Sequence, residues 1–154
     1  MISQRGSMDS QRKVLSLKTE QEGDIIDLTG KVSETLRSSG MEEGLACVSV
    51  PHSTAAVFTI ENEPGLQKDI RAALESIAPK NMDYEHQKTW GDGNGHSHIR
   101  ASLLGSSVTV PFHEKKLDLG TWQQIVLMEL DRSGRERKVI IQLLGSQQQT
   151  RSQS

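Results

Sequence analysis

Trp122-Gln-Gln-Ile-Val-Leu-Met-Glu-Leu130, followed by Asp131-Arg-Ser-Gly134 and then Val139-Ile-Ile-Gln-Leu-Leu144, is the stretch that decides the fold class. Trp122, Gln124, Val126, Met128 and Leu130 alternate with Gln123, Ile125, Leu127 and Glu129, a period of two that sends successive side chains to opposite faces of a strand. The polar run Asp131 to Gly134 reads as a hairpin loop that returns the chain into a second strand, Val139 to Leu144. An antiparallel pair at this end requires further strands beside it and a cover over its apolar face.

Working outward, Ser107-Val-Thr-Val110 and Phe112 alternate as another strand, and Val14, Leu15 and Leu17 begin a short one. Asp24 to Leu28 reads as a strand bounded by Gly23 and by Thr29-Gly30. Leu28, Val32 and Leu36 recur at four-residue steps, with Thr29 to cap and Gly40 to stop, which predicts a short helix. Leu45 to Val50 and Ala55 to Ile60 are apolar on both faces and suit central strands separated by Pro51-His-Ser-Thr54. Pro64 opens a longer helix whose face is Leu66, Ile70, Ala73, Leu74 and Ile77, and Pro79 ends it. A helical turn or two is expected from Ile99 to Leu104. Strands outnumber helices, so the expected fold class is α+β: an antiparallel β-sandwich-like core with flanking helices, in a single domain. That domain is expected over residues 13–145, with residues 1–12 and 146–154 as disordered tails because neither carries an apolar period.

The bulk composition excludes several classes of function. At 154 residues the chain is long enough to bury one core. A formal net charge of −2 argues against a nucleic-acid partner, which calls for a strongly basic face. Cys47 is the single cysteine and lies in an apolar run, which favours a buried thiol over a nucleophile and leaves no disulfide within one chain. No segment reads as a signal sequence or a membrane span, so no membrane partner is expected and the expected location is the cytoplasm.

Four of the five histidines fall between Tyr84 and His113. Imidazole is both a common metal ligand and a proton carrier near neutral pH. In an extended segment His96 and His98 would point to one side, where both could reach one ion with His86; the same residues also read as solvated loop histidines beside glycines. Asp92 and Asn94 lie in Gly91-Asp-Gly-Asn-Gly95, a composition that a tight turn also needs. A calcium loop counted from Asp92 fails, since its sixth and twelfth places hold Ser97 and Leu103. His52, Ser53 and Thr54 stand as a polar group between apolar strands, suited either to a ligand histidine with phosphate-binding hydroxyls or to a turn that satisfies its own backbone. Arg100, Ser102, Ser106 and Ser107 would also suit a phosphate. Glu61, Asn62 and Glu63 precede the longer helix, where capping accounts for only part of the set.

Taken together, His52-Ser-Thr-Ala-Ala, Glu61-Asn-Glu-Pro, Tyr84-Glu-His86, Gly91-Asp-Gly-Asn94, His98-Ile-Arg-Ala-Ser-Leu-Leu-Gly105-Ser and Leu119-Gly-Thr-Trp-Gln123 resemble the YjbQ-like family, also called secondary thiamine-phosphate synthases. The resemblance runs in order from about Val14 to Leu144. It implies a homotrimer with sites near subunit boundaries and a divalent metal held by His52, His86 and His98. Zinc is the expected ion, with magnesium an alternative beside a diphosphate. His96 becomes a substrate contact or a neighbour of the ligands, and His113 a surface histidine.

The implied activity joins a pyrimidine methyl diphosphate to a thiazole phosphate with release of pyrophosphate, so the implied partner is a small phosphorylated metabolite. Such chemistry needs cations on the departing diphosphate and a pocket that keeps water from the cationic carbon. Asp92, Glu61 and Arg100 are the expected catalytic residues. Ser53, Thr54, Asn62, Asn94, His96, Ser102 and Gln123 are the expected substrate contacts. Two other readings stay open: a metal-dependent hydrolase in which Asp92 or Glu61 accepts a proton from water, and a non-catalytic trimeric module that binds a phosphorylated metabolite.

Overall fold

A computed structural model describes residues 7–147. In chain order these form β1 (Met8–Lys18), β2 (Ile25–Asp27), α1 (Thr29–Ser39), β3 (Met41–Ser49), β4 (Ala55–Ile60), α2 (Pro64–Ile77), α3 (Glu85–Trp90), α4 (Gly95–Leu104), β5 (Ser107–His113), β6 (Lys116–Leu117), β7 (Gln124–Glu129) and β8 (Glu136–Gln147). The strands make two antiparallel sheets, one ordered β1-β8-β3-β5-β6 and the other β2-β7-β4. The fold is α+β in one domain, as the alternating segments predict.

Two apolar layers explain the sequence pattern. Val48, Phe112, Ile141 and Leu143 of the larger sheet meet Val57, Ile125 and Leu127 of the smaller one, with Leu28, Val32 and Leu36 of the α1 segment filling the same layer. On the other face of the smaller sheet, Ala56, Met128 and Leu130 pack with Leu74 of α2 and Ala101 of α4. Strand β7 therefore lies between two cores, and every residue from Ile125 to Glu129 is buried. Burial on both faces also accounts for the apolar run of β4, which nonetheless sits at the edge of its sheet with α4 against it. β3 is central as expected.

The hairpin expected at Asp131 to Gly134 does not form. β7 and β8 belong to different sheets, so this segment is a crossing between layers, and Pro51 to Thr54 is a second crossing beside it. A buried ion pair ties the two together. The Arg137 guanidinium, 2% exposed at its side chain, pairs with Glu129, whose side chain is 0% exposed. Arg137 also donates to the Thr54 carbonyl at 3.1 Å and hydroxyl at 2.9 Å, while Thr19 Oγ1 donates to Glu129 at 2.7 Å. The turn chemistry correctly signals a change of direction, but nothing local says which sheet the chain joins next.

Other expectations are corrected in detail. β1 starts at Met8 rather than near Val14, because its full length pairs with β8, and β8 reaches Gln147. Residues 8–12, 146 and 147 of the expected tails are thus strand; residues 1–6 and 148–154 lie outside the described residues. Thr29 does not cap α1: its hydroxyl accepts from Ile125 N at 2.9 Å, while Asp27 Oδ1 takes Thr29 N at 2.9 Å. Gly40 ends α1 in the left-handed region, at φ 71°, as predicted. Glu63 caps α2 by accepting from Gly65 N and Leu66 N, but the predicted apolar face of that helix is only partly covered, with Leu74 buried and Ile77 64% exposed. Helix α4 begins at Gly95, earlier than Ile99. Among the described residues no helix is long and apolar enough to cross a membrane.

Candidate functional site

The site is built on the chain between α2 and α4. Tyr84 is buried, with its hydroxyl donating to Pro79 O at 2.6 Å and its backbone N donating to Gln87 Oε1 at 2.6 Å, which sets the entry of α3. α3 ends at Gly91, with φ 68°, and Gly95 opens α4 against the Tyr84 side chain, where a Cβ would lie 2.6 Å from Tyr84 Cβ. Only glycine permits that approach. The result is that α3 and α4 present His86 and His98 to each other, with ring centroids 4.5 Å apart and planes inclined at 51°.

Because His96 and His98 are on a helix rather than an extended segment, their side chains are separated by about 200° around its axis. His98 joins His86, and His96 points into the protein. His96 is 0% exposed, with Nε2 2.6 Å from Glu22 Oε1. Glu22 in turn receives Lys80 Nζ at 2.6 Å on its other oxygen.

His86 Nε2 lies 3.3 Å from Asp92 Oδ1. With its amide nitrogen turned toward them, Asn94 donates to both oxygens of Asp92 at 2.8 and 3.1 Å, and that nitrogen also lies 3.1 Å from His86 Nε2. Two recesses meet at these contacts. Met82, Tyr84, His86, Gly95, His98 and Ile99 contribute to a pocket of about 360 Å³ with a largely apolar lining. Asp92 and Asn94 instead line a polar cleft of about 480 Å³, together with Lys80, Asp131, Arg132, Ser133 and Arg135. The arrangement can hold a ring beside two imidazoles and an anion beside three cations, with a carboxylate-histidine pair between them to take or return a proton.

The remaining expected site residues are placed elsewhere. Arg100 is buried and donates to Ala78 O at 3.0 and 2.8 Å while pairing with Glu75, so it fastens α4 to the end of α2 and does not line the cleft. Thr54 is buried between Arg137 and Asp131, to which its hydroxyl donates at 3.1 Å, and so offers no free hydroxyl to a phosphate. Ser53 is exposed beside it. Ser102 donates back to His98 O at 2.8 Å, an intrahelical bond. Glu61, Asn62 and Gln123 lie at the other end of the smaller sheet: Asn62 accepts from Gln67 at 2.7 Å, and Gln123 donates to Thr59 at 3.2 Å. Gln123 and Leu119 line a separate cleft of about 520 Å³ with Arg37 and Lys115, so that part of the motif set is not at the histidine pair.

The three-histidine shell does not assemble within one chain. His52 Nε2 accepts from Lys138 N at 3.1 Å, on the far side of the crossing, and burial together with the Arg137 charge pushes its imidazole below the ordinary value. Among the described residues no three His, Cys, Asp or Glu side chains group to hold an ion. His86 meets His98 ring to ring and Asp92 at its Nε2, two pairwise contacts that do not make a three-donor set. His113 is exposed beside Glu43 and Glu114.

Lys80, Glu22, Arg132 and Arg135 carry no sequence motif that marks them as site residues. Lys80, Arg132 and Arg135 reach the cleft because the loop after α2 and the crossing after β7 fold beside each other, and Glu22 stands behind Lys80. Burial pushes the Asp131 carboxyl up, but Arg132 N, the Arg135 guanidinium and the Thr54 hydroxyl together hold it below the usual carboxylate range. Glu22 is likewise pushed up by burial and held lower by Lys80 and His96. A carboxyl depressed in the folded chain contributes stability above its unfolded pKa, and that contribution is lost as pH falls through the folded value. Urea midpoints should therefore drop as pH falls below about 4. The drop should be smaller in Asp131→Asn, and parallel curves for the two proteins would remove Asp131 from that account.

The family model described as UPF0047 protein YjbQ-like matches residues 13–146. A UPF0047 protein of Methanothermobacter thermautotrophicus is 41% identical over 138 residues, covering 90% of this chain and 94% of the relative. UPF0047 protein YugU of Bacillus subtilis is 31% identical over 134 residues, covering 86% and 98%. Among solved structures, a YbjQ-like protein of unknown function from Sulfolobus solfataricus superposes with a TM-score of 0.86 at 32% identity, covering 91% of this chain and 100% of that one.

Proposed function

From the premise that the chain belongs to the YjbQ-like UPF0047 family, we propose that it is an enzyme of small phosphorylated metabolites that joins a pyrimidine methyl diphosphate to a thiazole phosphate. One observation carries this reading. The pocket walled by His86 and His98 adjoins the Lys80, Arg132 and Arg135 cleft through the His86–Asp92–Asn94 contacts. A ring and a diphosphate on the same molecule require that adjacency.

In the reaction the methylene C–O bond breaks and its electron pair leaves on the diphosphate oxygen. The thiazole nitrogen lone pair then forms the new C–N bond, so that thiamine phosphate and pyrophosphate are the products. Met82, Tyr84 and Ile99 give the pocket an apolar wall beside the carbon that would carry positive charge. His86, oriented by Asp92, holds or moves a proton on the pyrimidine side, and the tilted His98 ring packs against His86.

The test is to incubate the full chain with both substrates and measure thiamine phosphate. Product is expected, reduced at least about tenfold in His98→Ala. Equal product from both proteins would overturn the reading. Loss of the diphosphate substrate without any thiazole partner would replace it with the hydrolase, in which the His86–Asp92 pair accepts a proton from water. Saturable binding without turnover would replace it with the binding module.

A further inference from the structure

We propose that the cleft beside Asp92 and Asn94 is a diphosphate site in which Lys80, Arg132 and Arg135 are the cationic contacts. The proposal rests on the preceding reading for the organic part of the ligand, and on the cleft alone for the diphosphate.

The three cations come from two segments about fifty residues apart, and each is held before a ligand arrives. Lys80 Nζ is fixed by Glu22 Oε2 at 2.6 Å, and Glu22 Oε1 by the fully buried His96 at 2.6 Å. His96 is thus a positioning residue for Lys80, which gives this histidine a role in the cleft without contact to its contents. Arg132 Nη1 donates to Asp92 O at 2.8 Å. It lies over Gly93, whose φ is 67° and where a Cβ would stand 2.8 Å from that nitrogen, so a side chain there would displace the guanidinium. Arg135 Nη2 is 2.8 Å from Asp131 Oδ2. Side chains that are already ordered lose less freedom on binding, which leaves more of each contact as affinity.

Charge and shape point the same way. Asp131 faces the cleft, but its oxygens already accept from Thr54 Oγ1, Arg132 N and Arg135 Nη2. The Asp92 oxygens face His86 and the Asn94 amide. Arg132 meets only a carbonyl, and among the described residues no carboxylate pairs with it. An arginine in that state is the strongest available donor to a phosphate, which it can meet with two parallel N–H bonds. A second recess of about 270 Å³, lined by Asn81, Gln87 and Gly93, shares Lys80 and Arg132 with the 480 Å³ cleft. Two recesses joined by shared cations suit an anion with two linked charged centres better than a single phosphate.

The probe is inorganic pyrophosphate, with orthophosphate in parallel, titrated calorimetrically into the full chain. Pyrophosphate should bind more tightly than orthophosphate. Arg132→Ala and Lys80→Ala should each weaken it at least about tenfold, since each removes a charge-assisted hydrogen bond. Lys116→Ala, in the distant cleft, should leave it unchanged. Arg132 is exposed, so its replacement spares the core, and Arg132→Lys should recover part of the affinity. Equal binding by all variants, or no binding by the unaltered chain at millimolar pyrophosphate, would overturn the site. Pyrophosphate binding that depends on Arg132, without thiamine phosphate formation, would support the site and sink only the coupling reaction. Thiamine phosphate formed at equal rates by Arg132→Ala and the unaltered chain would do the reverse.

Discussion

Arg137→Ala is expected to destabilise the folded chain by about 3–5 kcal/mol, as removal of one member of a buried ion pair does. The Glu129 carboxylate is fully buried in the folded chain, and of its present partners only Arg137 is a cation. The same substitution takes one of two partners from the Thr54 carbonyl, which keeps Leu130 N, and from its hydroxyl, which keeps Asp131. Urea unfolding at pH 7 measures the effect. Arg135→Ala is the control, because its pair with Asp131 is half exposed on the arginine side and such pairs contribute at most about 1 kcal/mol. A paired replacement, Glu129→Gln with Arg137→Met, should recover much of the loss by removing both charges. An Arg137→Ala midpoint within about 1 kcal/mol of the unaltered chain would show that water or another group reaches Glu129 after all.

That ion pair also connects the fold to the cleft. Thr54, held by Arg137 from one side, donates to Asp131 on the other, and Asp131 holds Arg135. The crossing between the two sheets is therefore the platform from which Arg132 and Arg135 are presented. Loosening it should weaken pyrophosphate binding before the chain unfolds.

The strands are legible because one buried face gives alternation and two buried faces give a short continuous apolar run. β7 is buried from Ile125 to Glu129, and its apolar residues divide between two cores that the period alone cannot distinguish. The mistaken hairpin has the same origin. Asp131-Arg-Ser-Gly134 encodes a change of direction, but the partners of β8 are β1 and β3, chosen by contacts with residues roughly a hundred positions away. Met8 to Arg12 carries no apolar period because these residues are held by backbone pairing at a sheet edge, with most of their side chains in solvent.

At the site, the histidine pair and its acidic neighbour could be read because their residue types are rare and close in sequence. Arg100 could not be excluded from sequence, since a cation that satisfies a buried carbonyl has the same letter as one that binds phosphate. The converse holds for Lys80, Arg132 and Arg135. Surface cations are common, and only the meeting of two loops distinguishes these three.

Asp92→Asn should leave folding and pyrophosphate affinity in place while lowering turnover by about 10² to 10⁴. The carboxylate side chain is 46% exposed, and the new amide has the same shape, so little packing is disturbed. The contact that Asp92 makes to Arg132 is through its backbone carbonyl, which the substitution retains. The cation cleft should therefore keep its ligand, and binding should even tighten slightly as one negative charge leaves the cleft. What is lost is the group that faces His86 at 3.3 Å and orients the ring for proton transfer. An amide cannot accept a proton, and it would meet the Asn94 amide with no charge to favour the pairing. Initial rates of thiamine phosphate formation, with pyrophosphate affinity measured on the same preparations, separate these effects. A fall in rate at constant affinity fits the proton-handling role, whereas an unchanged rate would return Asp92 to the turn that its glycine neighbours alone suggest.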